Sequence, residues 1–411
     1  MKAAYPFALL PILFLSTGCF SFSITGLASE KNLGGLEPIE YFRLNLEEEK
    51  GEISKVDLAN VKTEGNYLEK VFGFREKYYC IADRIYLRPK GGVESDWRKA
   101  HGGENLPFWE NHQTITGSIL TPKQGVPGAD WIFVIPGKKF TESSPDSTGS
   151  CMAENLAEMN FPVVRIDANF DAIPQGSQQL AANRTGQQAL DAFGDSFMTQ
   201  IRCRVIALKR MMDWIQQKYP TAEPIRFHVI GVSLGGILGS LVAADDPIRV
   251  KTLMMIISSG RLSKIVMNEV AFSLIPSLEA IKDVMLDKFV SRSEAILAMD
   301  KKMRPVDPIT YAHRLNPARI VMVSAGWDMV GCILDSVMPL SATLETWWKF
   351  GCPDWIIMPF AGHGTSLVAL WPIWLEITRP HHSLLGWIRW EPHYMQIVRA
   401  HFLPKVLKSK I

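Results

Sequence analysis

From about residue 78 the chain alternates short apolar runs with blocks of helical period, separated by turn residues. Residues 79–88 and 113–120 read as early strands, the second closing on a Thr121-Pro122 turn. Residues 131–135 are apolar without interruption and stop at Pro136-Gly137. Such a run is buried on both faces, as in a parallel sheet covered by helices. A helix is expected over 150–159 and a strand over 162–166. Phe197, Ile201, Val205, Leu208, Met212, Ile215 and Tyr219 then recur at spacings of three and four, which makes one buried helical stripe, ended by Pro220. Further apolar strands follow at 227–230, 253–257, 320–323 and 355–358. Strands alternating with helices imply right-handed crossovers, and so an α/β fold with a mostly parallel central sheet flanked by helices. Residues 30–75 have weaker periodicity and read as a solvated linker or small cap. No internal repeat or low-complexity tract interrupts the pattern.

At 411 residues the chain exceeds one ordinary domain, and 47% apolar against 21% charged residues supply a large core. Lys and Arg number 44 against 42 Asp and Glu, a net charge of +2. That balance leaves no global field to hold a nucleic-acid backbone, so nucleic acid is not an expected partner. The six cysteines lie far apart and lack metal-site spacing, which excludes a disulfide scaffold but not a single bridge.

The two ends differ from the body. No charge occurs between Lys2 and Glu30, and residues 3–15 are largely apolar, shorter than the ~20 residues of a membrane span. Ser16, Thr17, Gly18 and Cys19 follow. The run from Leu15 to Cys19 resembles a bacterial lipobox, with Ser16 where leucine is usual, which implies lipidation at Cys19. A cleaved signal and an uncleaved anchor are the other two readings, the last because the uncharged run continues to Ala28. Each places the body outside the cytoplasm, as a membrane-tethered envelope lipoprotein or as a periplasmic or secreted protein. At the other end, most of the twelve tryptophans crowd between Trp347 and Trp390, and residues 380–411 hold five Lys or Arg against one Glu. A packed extension with a solvated tip and contact with a membrane surface both fit this composition. The histidines collected there, His381, His382, His393 and His401, lack ligand spacing, and no metal is expected.

Directly after the strand at 227–230 stands Gly231-Val232-Ser233-Leu234-Gly235-Gly236, leading into an apolar helix. This G-x-S-x-G pattern in strand-turn-helix context forces a turn too sharp for side chains at its glycines and pushes the serine outward at the carboxyl end of the sheet. A serine hydroxyl is a weak nucleophile. It needs a histidine to take its proton and a carboxylate to orient that histidine. Asp328 follows the strand at 320–323, and His363, between Gly362 and Gly364, follows the strand at 355–358. Asp335 and Asp354 compete with Asp328 for the orienting role, and Asp328 stands nearest its strand end. From about residue 110 to 380, with these three motifs in this order, the chain resembles the α/β-hydrolase family of serine esterases and lipases.

The resemblance implies an acyl-enzyme on Ser233, with His363 as base oriented by Asp328. The backbone amides of Leu234 and Lys138 would hold the oxyanion. Many members carry His-Gly at that second loop, where this chain has Pro136-Gly137-Lys138. A long insertion at about 261–318 stands where the family places a helical lid. Its half from 265 to 290 is apolar, and 291–307 is polar and expected to be external. An apolar lid favours a small-molecule or lipid ester substrate, although the same residues could merely pack on the sheet. No cofactor is implied. A serine peptidase and a non-catalytic tethered binding protein remain as alternatives. The expected organisation is a signal or anchor over 1–29, an N-terminal extension over 30–109, the hydrolase domain over 110–380, and a basic aromatic tail over 381–411.

Overall fold

The computed structural model of the chain describes residues 22–42, 52–57, 80–88, 115–122, 129–137, 152–153, 155–157, 159–166, 186–219, 221–266, 291–325, 340–358 and 397–408. Their strands are β1 (Phe22–Ile24), β2 (Glu52–Asp57), β3 (Cys80–Arg88), β4 (Ile115–Pro122), β5 (Asp130–Ile135), β6 (Val163–Ile166), β7 (Arg226–Val232), β8 (Val250–Ile256), β9 (Ile320–Ala325) and β10 (Asp354–Met358). They form one ten-stranded sheet in the order β1-β10-β9-β8-β7-β5-β6-β4-β3-β2. From β10 to β6 every neighbouring pair is parallel. β1 joins one edge antiparallel, and β4, β3 and β2 extend the other edge antiparallel. The sheet expected as mostly parallel is therefore mixed, with a parallel centre and antiparallel flanks. A parallel neighbour needs a crossover that covers a face, whereas β2, β3 and β4 follow one another in sequence and need none.

The helices are α1 (Gly186–Lys218), α2 (Leu234–Asp245), α3 (Leu262–Val266), α4 (Arg292–Met303), α5 (Leu340–Lys349) and α6 (Leu403–Lys408), the last preceded by a π-turn at Val398–Phe402. Successive residues of a strand point to opposite faces. Phe133, Phe227, Val229, Leu253 and Met255 accordingly pack with α1 and α2, while Ile132, Val134, Ile230, Met254 and Ile256 pack with helical residues Met152 and Leu156 and with Val398 and Phe402. Both faces are covered, which is why the central strands read as largely apolar runs. Burying each such side chain contributes roughly 1.5–3 kcal/mol. The stripe expected on α1 is present at Ile201, Val205, Leu208, Met212 and Ile215, and it continues upstream to Leu190.

Two expectations do not hold. Within residues 30–75, read as linker or cap, 52–57 form β2 and the segment 30–42 is fastened to the body. Phe42 is wholly buried, the Ile39 N–H donates to Asp245 at 2.6 Å, and Arg202 donates to the Tyr41 carbonyl at 2.8 Å. Isolated apolar residues such as Ile39 and Phe42 leave no periodic signal, so their burial was not readable. Residues 291–307, expected to be external, instead bury Ala295, Met299, Met303 and Val306 in the cluster that holds α1. Their spacing of four places the first three on one face of α4, and Lys302 pairs with Asp195 of α1 at 2.6 Å. Residues 267–290, the apolar half of the expected lid, lie outside the described residues. Among the described residues no helix is long and apolar enough to cross a membrane.

Candidate functional site

Ser233 is the single residue between the end of β7 and the first residue of α2. Its φ of 51° and ψ of −118° are a conformation that a residue with a side chain rarely adopts, at a cost on the order of 1–3 kcal/mol. The surroundings hold it there. Its N–H donates to the Ile256 carbonyl at the end of β8 at 2.8 Å, and its own carbonyl accepts from the Gly236 N–H at 2.9 Å.

The glycines around it have steric reasons. A methyl group on Gly231 would lie 2.3 Å from the Gly235 carbonyl oxygen, and one on Gly235 would lie 2.0 Å from the Ile135 carbonyl oxygen at the end of β5. Only hydrogen fits where strand, turn and helix backbones approach this closely. Gly236 is equally confined, because a methyl there would reach within 2.4 Å of the Ser258 Cβ. Gly137, two residues past β5, lies directly against the serine, and a methyl on it would stand 3.0 Å from the Ser233 Cβ. Ile135 pairs in register with Gly231, so the parallel neighbours β5 and β7 deliver these two loops to the same rim.

That rim is electrostatically prepared for a developing negative charge. The first N–H groups of a helix have no carbonyl partner within it, and the helix dipole places partial positive charge there. Leu234 is the first residue of α2, so its N–H stands beside the serine side chain.

The turn leaving β8 completes the described part of the site. Ile257 has a φ of 43° and Arg261 a φ of 56°. Ser258 is 3% exposed, and its hydroxyl has no hydrogen-bond partner among the described residues. Thr346 of α5 receives the Gly260 N–H at 2.8 Å, while Asp307 accepts the N–H groups of Arg261, Leu262 and Ile309 at 3.0–3.1 Å. Burial pushes the Asp307 carboxyl above its ordinary value, and those three donors pull against it. The Arg261 guanidinium donates to Glu345 at 2.7 Å and to Asp300 at 2.5 Å, and the hydrogen bond to Glu345 is the main reason its pKa rises. Sequence reading missed this anchoring because its members, from 258 to 346, are distant in the chain and carry no local motif.

Of the residues singled out from the sequence, Ser233 and Leu234 stand together at this rim. Lys138, Asp328, His363 and Cys19 lie outside the described residues. The strands that lead to Asp328 and His363 are described: β9 ends at Ala325 and β10 at Met358, which pair in register with each other. Because β7, β8, β9 and β10 are successive parallel neighbours, the chain leaves β9 and β10 on the rim that carries Ser233. Among the described residues no group of three or more His, Cys, Asp or Glu could hold a metal ion.

No known family profile matches the chain, and no curated protein matches its sequence. Among solved structures, acetyl xylan esterase 1 from Thermoanaerobacterium sp. JW/SL YS485 aligns at 14% identity over 72% of this chain and 86% of that one, with a TM-score of 0.45. An acetyl xylan esterase from Paenibacillus sp. R4 aligns at 14% identity over 69% and 78%, with a TM-score of 0.45. A putative dienelactone hydrolase from Klebsiella pneumoniae subsp. pneumoniae MGH 78578 aligns at 14% identity over 71% and 93%, with a TM-score of 0.38. These overlaps are loose.

Proposed function

We propose that the chain is a serine hydrolase of the α/β-hydrolase type that cleaves carboxylic esters. The observation that carries this reading is Ser233 at positive φ, in a turn where Gly231 and Gly235 leave no room for a side chain, at the carboxyl rim of the parallel centre of the sheet. Strain of this kind persists only where the surroundings impose it, and it gathers at functional sites.

In this reading His363 takes the Ser233 proton as the hydroxyl oxygen attacks the ester carbonyl, and Asp328 holds the imidazole in the tautomer that can accept it. The oxyanion forms within reach of the Leu234 N–H and, from the loop that begins at Gly137, the Lys138 N–H. His363 then returns its proton to the departing alcohol, and a water activated by the same histidine releases the acid. Each backbone donor is worth about 2.7–4 kcal/mol of barrier, whereas the Lys138 side chain contributes nothing to that step. No cofactor enters the scheme. Export fits the same reading, as a lipoprotein tethered at Cys19 or as a cleaved periplasmic or secreted protein. Phe22–Ile24 are used as an edge strand on β10, which favours processing at or before Cys19 over a membrane span that continues to Ala28. The substrate is a small-molecule or lipid ester, and contact with a membrane surface would be made by the aromatic and basic C-terminal region.

The test is labelling by a fluorophosphonate, with turnover of p-nitrophenyl esters of rising acyl length. The parent should label and turn over esters, and Ser233→Ala should do neither. Equal labelling of the variant would remove Ser233 as the nucleophile, and activity confined to peptides would favour a peptidase.

A further inference from the structure

At the opposite end of the sheet from Ser233, the amino ends of β8 and β9 and the segment after Glu30 border an open cleft of about 470 Å³. Lys251, the second residue of β8, and Ile256, which holds the Ser233 N–H, are five residues apart on one strand, about 16 Å at 3.3 Å per residue. The two places are therefore separate sites.

The charges lining this cleft are unbalanced. Lys31, Lys251 and Arg319 are its cations; among the described residues no carboxylate side chain lines it, although that of Glu30 stands at its edge, held by Arg319 and Asn316. Lys251 is half-buried and has no carboxylate within ion-pair distance among the described residues. Asp246, the carboxylate that acts on it, is already engaged by Arg249 at 2.5 Å. Burial, with Arg319 and Arg226 nearby, holds the Lys251 ammonium below its ordinary value, as expected of a cation lacking a partner. Arg319 is paired with Glu30 at 3.3 Å, but Glu30 is 62% exposed, and exposed pairs of this kind contribute little. Beside these cations stand Leu33, Pro247 and the exposed Ile248, which give the cleft an apolar wall. Partly buried cations next to an apolar surface are complementary to a molecule with an anionic head and a hydrocarbon body.

We propose that this cleft is a second ligand site, which takes a small amphiphilic anion, a carboxylate or a phosphate monoester, with its head on Lys251 and Arg319 and its chain against Leu33, Pro247 and Ile248. The proposal does not depend on the reaction assigned to Ser233.

Calorimetric titration of the full chain, with Ser233 first blocked by a fluorophosphonate, tests it. Octanoate and octyl phosphate are the probes, and octanol and inorganic phosphate are the controls. Saturable binding of at least one octyl anion is expected, about tenfold or more tighter than either control and weakened by salt. Lys251→Met should weaken it at least tenfold, and Lys251→Arg, which keeps the charge, should retain it. Whichever octyl anion binds more tightly identifies the head group. Equal affinity in the parent and Lys251→Met, octanol binding as well as octanoate, or no saturable binding of either anion would overturn the proposal.

Discussion

Ser233, Gly137 and Gly235 show how differently neighbouring small residues can matter. The Gly235 hydrogen faces a backbone oxygen that cannot retreat without moving β5, so Gly235→Ala should lose about 3 kcal/mol or more of stability, read as a fall in the urea midpoint. A methyl on Gly137 would meet the Ser233 Cβ at 3.0 Å, a contact that small shifts can relieve. Gly137→Ala should therefore leave the midpoint nearly unchanged while lowering kcat for an ester substrate at least tenfold. On the proposed mechanism, Asp328→Asn should leave folding intact and reduce kcat on the order of 10⁴-fold, because the base would be held in the wrong tautomer. The serine and its two flanking glycines were legible because the chemistry confines them to five consecutive residues, 231–235. Gly236 stood in the same motif, yet its contact with Ser258 was not legible, since that partner arrives from another strand.

Helix α4 marks what periodicity can and cannot tell. Its apolar residues, Ala295 to Met299 and Met303, are not confined to one stripe, and Leu297 is exposed, so the segment read as external although Ala295, Met299 and Met303, at a spacing of four, are buried. Met299→Ala should cost about 2–5 kcal/mol, the range for a wholly buried side chain that leaves a cavity. The helix is also capped: the Ser291 side chain accepts the Glu294 N–H at 3.2 Å, and Ser291→Ala should cost about 1 kcal/mol. Both are read from denaturant midpoints. The strands were easier to read. Burial on both faces favours apolar runs, and the central strands supplied them apart from Arg165 in β6, the buried His228 in β7 and the first residues of β8.

Over the whole molecule, a C-terminal turn and an N-terminal segment are drawn onto one sheet. Lys405 pairs with Asp354 of β10 at 2.9 Å, and Gly26 donates to the same aspartate at 3.2 Å. His401 lies in this region, and burial, with some help from Lys405 and against Asp354, lowers its pKa below the ordinary 6.5. The unfolded chain therefore takes up that proton at a higher pH than the folded one does. The contribution is fully present above about pH 6.5 and is lost as pH falls toward the folded value. Urea midpoints should fall between pH 7 and 5, and His401→Gln should flatten that slope.

Taken alone, the chain determined an alternation of strands and helices and a serine at a turn that admits only glycine beside it, because both are written in consecutive residues. Tertiary structure alone decided that the sheet ends in antiparallel strands, that residues 30–42 belong to the body, and that Arg261, Asp300, Asp307 and Glu345 converge on the turn next to the serine. These arrangements depend on pairing between residues tens to hundreds of positions apart, and such pairing leaves no trace in local spacing.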